Sequence, residues 1–205
     1  MKPLVGSAVF VSSRTKLADC PLPAYPEYAF IGRSNVGKSS LINALTCQKG
    51  LAKVSSTPGK TQTINHFLVD NAWYLVDLPG YGYAKAPQSK AETWSKFVND
   101  YLLGRKNLVH IFVLIDSRLP LQKNDLAFIL HLAGNNLSFS LVFTKIDKLS
   151  NLAWHKNKQQ FVQSLTPYWH ELPSFFATSS EKKTGMRELL DYILQQNQVY
   201  KQFFS

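Results

Sequence analysis

Cysteine is scarce in this chain of 205 residues: it holds only Cys20 and Cys47. Two thiols are too few for a disulfide framework or a cysteine-based zinc site. Both are expected to be free thiols in a reducing cytoplasm. Long hydrophobic runs are also missing. No apolar stretch approaches the ~20 residues that a membrane helix needs, so no membrane insertion is expected. Residues 1–13 are only mildly apolar and include Pro3 and Gly6, which argues against a signal peptide. No internal repeat or low-complexity tract is visible. Acidic side chains are few: 13 Asp and Glu stand against 23 Lys and Arg, for a net charge of +10 and a pI near 9.6. A surface this basic favours a polyanionic partner, because Lys and Arg release counterions from a phosphate backbone.

What is present is an ordinary globular complement, 45% hydrophobic, long enough for one sizeable core. A short strand is expected at Ala8 to Val11, followed by an irregular, proline-containing stretch over 14–27. From Tyr28 onward, strands and helices alternate. Strands are expected at 28–31, 64–69, 73–76, 108–115, 139–143 and 174–177, with Asp70-Asn71 as a hairpin turn. Helices are expected at 38–46, 90–103, 150–165 with Ser150 as N-cap, around Leu126, Ile129, Leu130 and Ala133, and finally around Met186, Leu189, Leu190, Ile193 and Leu194. Such alternation implies an α/β fold with a mostly parallel central sheet and helices on both faces, and ligands at the carboxyl ends of the strands.

The motifs fall at those ends. Gly32-Arg33-Ser34-Asn35-Val36-Gly37-Lys38-Ser39 fits the P-loop pattern GxxxxGK[ST], between an expected strand and an expected helix. Its glycines let backbone N–H groups turn toward phosphate oxygens, Lys38 reaches the β- and γ-phosphates, and the Ser39 hydroxyl binds magnesium. Asp77-Leu78-Pro79-Gly80 supplies a carboxylate that can hold magnesium through water and a small residue whose N–H can meet the γ-phosphate. Thr144-Lys145-Ile146-Asp147 places a carboxylate where guanine N1–H and its amino group donate; adenine has no such donor pair. The Lys145 stem can lie over the base. Thr178-Ser179-Ser180 can offer backbone to guanine O6. Taken singly, the last three segments read better as turns. Their order and spacing after a P-loop favour GTP over ATP.

These motifs in this order resemble the Ras-like GTPases. The stretches GRSNVGKSSLINAL, TPGKTQTINHF, DLPGYGYAKA, FTKIDKLS and SSEKKTG resemble the EngB (YsxC/YihA) family of bacterial GTPases, over nearly the whole chain from Pro23. The resemblance implies a three-layer P-loop GTPase fold in a single GTP-binding domain over 1–205, with 1–27 as a lead-in. It further implies a role in assembling the large ribosomal subunit by contacting its rRNA, and it carries a link to cell division and septation; a monomer in the cytoplasm is expected. The residues alone do not choose among Thr57, Thr61 and Thr63 as a third magnesium ligand. The resemblance points to Thr61, with Gly59, Lys60, Thr61, Gln62 and Thr63 lining GTP or GDP.

Ras-like enzymes orient the attacking water with a glutamine after DxxG. Here Tyr81 follows Gly80, so slow intrinsic hydrolysis is expected, with Lys38, Thr61 and Gly80 in electrostatic and positioning roles. Some glutamine-lacking GTPases bind potassium beside an asparagine that Asn35 matches by resemblance; the plainer reading is a hydrogen bond within the loop. Arg105-Lys106, Lys156 with Lys158, and Lys182-Lys183 are the expected contacts to RNA. The competing readings are an ATP-dependent small kinase, for which no Arg-rich lid is evident, and a non-catalytic RNA-binding module, for which no recognised signature is present.

Overall fold

A computed structural model describes residues 4–53, 63–81, 88–169 and 171–204. A sheet of seven strands runs through it: β1 (Ala8–Arg14), β2 (Glu27–Gly32), β3 (Ile64–Val69), β4 (Trp73–Asp77), β5 (Leu108–Asp116), β6 (Phe139–Thr144) and β7 (Phe175–Ala177). Their order across the sheet is β1-β3-β4-β2-β5-β6-β7. β1, β3 and β4 pair antiparallel, whereas β4, β2, β5, β6 and β7 pair parallel. The helices are α1 (Lys38–Leu45), α2 (Gln88–Gly104), α3 (Lys123–Gly134), α4 (Asn151–Leu165) and α5 (Met186–Phe204).

β2 is buried along its whole length and feeds two cores. Alternate side chains of a strand point to opposite faces. Tyr28 and Phe30 therefore pack with Leu41, Ile42 and Leu45 of α1 and Leu189, Leu190 and Ile193 of α5. Ala29 and Ile31 pack with Val98, Tyr101 and Leu102 of α2, Ile129 and Leu132 of α3, and Phe161 and Leu165 of α4. The three-layer α/β reading thus holds.

Three sequence expectations need correction. The first strand does not stop at Val11: β1 continues to Arg14, with a bulge between Phe10 and Ser12, and pairs with β3 at the sheet edge. The residues expected to lead in irregularly therefore begin as sheet and contain a 3-10 turn at Leu17–Asp19. Leu130 and Leu194, whose helical spacing with their apolar neighbours points to the core, are 37% and 43% exposed. On α3, Leu132 takes the inward position instead, three residues after Ile129.

Candidate nucleotide site

The site grows from strand ends. β2 ends at Gly32, β4 at Asp77, β5 at Asp116 and β6 at Thr144, and the parallel register brings these ends to one edge of the sheet. The loop after β2 bends through Asn35 (φ 61°) and Gly37 (φ 105°) into α1. Gly37 occupies the N-cap and no side chain caps the helix. The first N–H groups of α1 are thus left to a ligand, at the positive end of the helix dipole. Within the loop, the buried Ser34 Oγ has no hydrogen-bond partner, which fits a seat built for an anion.

Lys38 opens α1 and its ammonium pairs with the Asp77 carboxylate from the end of β4. Burial pushes the Lys38 ammonium down, toward about 7. The adjoining carboxylate works the other way, because opposite charges in contact favour the ionised forms. Leu78 N–H donates to Phe30 O at 3.0 Å and prolongs the β2–β4 ladder toward Pro79 and Gly80. A side chain on Gly80 would collide with the Gly32 carbonyl, so only glycine lets this backbone approach the phosphate loop.

Thr144 and Lys145 brace the loop from the other side. The Thr144 hydroxyl lies 2.6 Å from Val36 O and 3.2 Å from Ile115 O. Lys145, in the left-handed region, donates from Nζ to Asn35 O at 2.5 Å and to Asp116 Oδ2 at 2.9 Å. Its head is therefore committed to β5 and the loop, leaving the stem free for a base. Asp116 also receives Arg118 at 2.8 and 2.7 Å. Burial alone would raise the Asp116 carboxyl, but these two cations outweigh it and hold it at about 2. Arg33, Asn35, Asp116, Arg118 and Lys145 line a cleft of about 230 Å³ beside the loop.

The base side is equally organised. Ser179 Oγ donates to Asp147 Oδ1 at 2.6 Å, and this bond lowers the Asp147 carboxyl below its ordinary range. Thr178 N–H reaches Phe143 O at 2.7 Å, and Thr178 O accepts from Ile146 N–H at 3.3 Å. The segments holding Asp147 and Ser179 are thus tied backbone to backbone. Ser180 follows in a turn closed by the Ser179–Thr184 bridge and by Gly185. A side chain on Gly185 would strike the Ala177 carbonyl, and its φ is 74°.

The structure brings together Gly32 to Ser39, Asp77 to Gly80, Thr144 to Asp147 and Thr178 to Ser180. Gly59, Lys60, Thr61 and Gln62 lie outside the described residues, so the Thr61 expectation has no geometry here. Thr63 is described; its hydroxyl lies 3.2 Å from Asn65 Oδ1 at the start of β3. No group of three metal-binding His, Cys, Asp or Glu occurs among the described residues. A hydroxyl and one carboxylate nonetheless suit magnesium, which keeps several waters and takes further oxygens from a nucleotide phosphate. Sequence reasoning missed Asp116 and Arg118. The strand-end rule could have found Asp116, since it closes β5 as Asp77 closes β4.

A family model described as "50S ribosome-binding GTPase" matches residues 27–145. The chain is 56% identical over 194 residues to a probable GTP-binding protein EngB of Porphyromonas gingivalis, spanning 95% of this chain and 96% of that one. The chain belongs to the EngB family. A second EngB, from Bacteroides thetaiotaomicron, is 52% identical over 198 residues, 96% of this chain and 98% of that one. Among solved structures, a probable EngB crystal structure matches with a TM-score of 0.63 at 21% identity, over 84% of this chain and 98% of that one. The GTPase Era, solved with MgGDPNP and a 16S rRNA segment, matches with a TM-score of 0.66 at 21% identity, over 84% of this chain and 56% of Era. These two structures share the P-loop GTPase fold. GTP binding and the GTPase class follow from EngB membership and from the matching family model.

Proposed function

We propose that the chain is a magnesium-dependent GTPase switch acting in assembly of the bacterial large ribosomal subunit. One observation carries the nucleotide part: Lys38, Asp77 with Gly80, and Asp147 converge from three segments at one end of the sheet. In this reading the loop from Gly32 to Ser39 wraps the phosphates, and Ser39, Asp77 and Thr61 hold magnesium. Bound magnesium neutralises charge on the β- and γ-phosphates. With nucleotide and metal bound, Lys38 would serve the phosphate oxygens and Asp77 the magnesium rather than each other. Asp147, steadied by Ser179, accepts from guanine. Gly59 to Thr63 and Thr178 to Ser180 close the two ends of the nucleotide.

Hydrolysis is slow in this reading, because Tyr81 stands where a water-orienting glutamine would stand and its hydroxyl is already bonded to Asp125. A potassium ion near Asn35 would supply charge at the β–γ bridge; faster turnover in potassium than in sodium, lost in Asn35→Ala, tests that. The ribosomal part is supported by the net charge of +10 and by the description of the matching family model. No described helix is long and apolar enough to cross a membrane. A monomer in the cytoplasm is proposed with it. Depleting the protein in cells should build up large-subunit precursors while small subunits mature normally. Unchanged precursor levels would remove the assembly role and leave the GTPase.

A further inference from the structure

Tyr81 directly follows Gly80, yet its side chain runs into α3. Its hydroxyl donates to Asp125 Oδ1 at 3.0 Å, and its ring stacks on Phe128 with centroids 4.5 Å and planes 22° apart. Asp125 and Phe128 are three residues apart on α3 and so share one helix face. Tyr81 is 7% exposed and Asp125 3% exposed. The Tyr81 backbone meanwhile forms a parallel bridge with Arg33 of the phosphate loop. On its other side, Gly80 is packed so closely on Gly32 that a Cβ would not fit.

The Gly80–Tyr81 segment is therefore fixed twice by the phosphate loop and twice by α3, through the Phe128 stack and a buried hydrogen bond from a phenol to a carboxylate. Burial pushes the Asp125 carboxyl up, while the Tyr81 hydroxyl and the Arg33 charge pull it down. A buried carboxylate is costly unless its lone pairs are used, and the Tyr81 hydroxyl uses one at the entrance to the phosphate seat. We propose that Asp125 is a positioning residue for γ-phosphate recognition: through the Tyr81 hydroxyl it holds the Gly80 peptide against the phosphate loop. This rests on the reading of Gly80 as the residue that meets the γ-phosphate. Losing the bond frees the peptide to move away, which weakens GTP without weakening GDP, because GDP has no γ-phosphate to meet.

The test is calorimetric titration of GDP and of a non-hydrolysable GTP analogue, with magnesium, into wild type, Tyr81→Phe, Asp125→Ala, Asp125→Asn and the Tyr81→Phe/Asp125→Ala double variant. Tyr81→Phe keeps the stack on Phe128 and removes only the hydroxyl. It and Asp125→Ala should each weaken the analogue about fivefold, as expected for one buried hydrogen bond, with GDP changed less than twofold. Asp125→Asn keeps an acceptor and should stay near wild type. The double variant should be no worse than either single one. A purely structural role would move both nucleotides together and would not separate Asn from Ala. Equal changes for both nucleotides, an unchanged analogue-to-GDP ratio, or additive losses would overturn the proposal. Hydrogen exchange of the Gly80 amide in wild type separates the two levels. No slowing by the analogue relative to GDP would remove both the reading of Gly80 and this inference. Slowing, with an unchanged ratio in the variants, would remove the inference alone.

Discussion

Asp147 and Lys145 are two residues apart in one motif and do different work. Lys145 spends its ammonium on Asn35 O and Asp116, bracing the phosphate loop. Asp147 is held by Ser179 at Oδ1 and pairs with Lys148 at Oδ2 across 3.3 Å. In the proposed reading, guanine selection rests on Asp147. Asp147→Asn should lose GTP affinity by tenfold or more and gain xanthosine nucleotides, whose C2 oxygen is an acceptor that an amide N–H can meet. Competition binding with the four nucleoside triphosphates and XTP checks this; a variant that still prefers GTP would contradict it. Gly185→Ala would have to move the Ala177 carbonyl or leave its positive φ, displacing Ser179 along with it. A lower unfolding temperature and weaker guanine binding should appear together in titrations at several temperatures. At this scale the motif residues were legible, because phosphate and guanine chemistry restrict which residue types can stand at each position. Arg118 and Asp125 were not, because an isolated acid or base in sequence has no pattern until strands and helices bring its partners near; Asp116 was legible only as the last residue of a strand, as Asp77 is.

Among the elements, α1 and α4 show how a helix start reports its use. α4 begins with Ser150, whose Oγ accepts from Ala153 N–H at 3.2 Å. α1 begins with Gly37 and has no side-chain cap. α3 also starts without a side-chain cap, at Gln122, so it is the place of α1 directly behind the phosphate loop that leaves its first N–H groups to a ligand. Ser150→Ala should cost about 1 kcal/mol of stability with nucleotide affinity unchanged. Chemical denaturation beside a GDP titration measures both; loss of GDP binding would contradict the separation of roles. Periodicity and the motifs locate α1 to α5 and β1 to β7 among the described residues, but the faces are misassigned where the stripe is broad. On α3, Leu126, Ile129, Leu130 and Leu132 all fit some helical face, and only packing shows Leu132 inside and Leu130 half out. The edge strand β1 was shortened for a related reason. Its outer residues, with a bulge after Phe10, lack the alternation that identifies half-buried strands.

For the molecule as a whole, charge is divided between the two ends of the sheet. At the end away from the nucleotide site, Glu27 is fully buried and receives Arg105 at 2.9 and 2.6 Å and the Tyr101 hydroxyl at 2.5 Å. His66 Nε2 stands 3.5 Å away, too far to be as strong an anchor. Burial works to raise the Glu27 carboxyl, but His66, Arg105 and Tyr101 together outweigh it and hold it at about 2. A depressed carboxyl stabilises the fold above its unfolded value of 4.5, and that stability is lost as pH falls toward 2. Urea unfolding should lose about 3 kcal/mol over that window, and Glu27→Gln should flatten the loss; an equally steep variant would contradict it. The same cluster removes Arg105 from the residues expected to meet RNA, since its guanidinium is committed to Glu27 and Pro21 O. Lys106, Lys156, Lys158, Lys182 and Lys183 stay exposed. Each that meets a phosphate should steepen the log–log salt dependence of binding by about 0.7 to 0.9. The most direct test is sedimentation of the protein with large subunits, small subunits and bulk RNA, at several salt concentrations, with GTP analogue, GDP or no nucleotide. Large-subunit binding should be strongest with the analogue, and Lys182→Glu with Lys183→Glu should weaken it while GTP affinity holds. Equal binding to all three RNAs, indifferent to nucleotide, would contradict the switch on the ribosome.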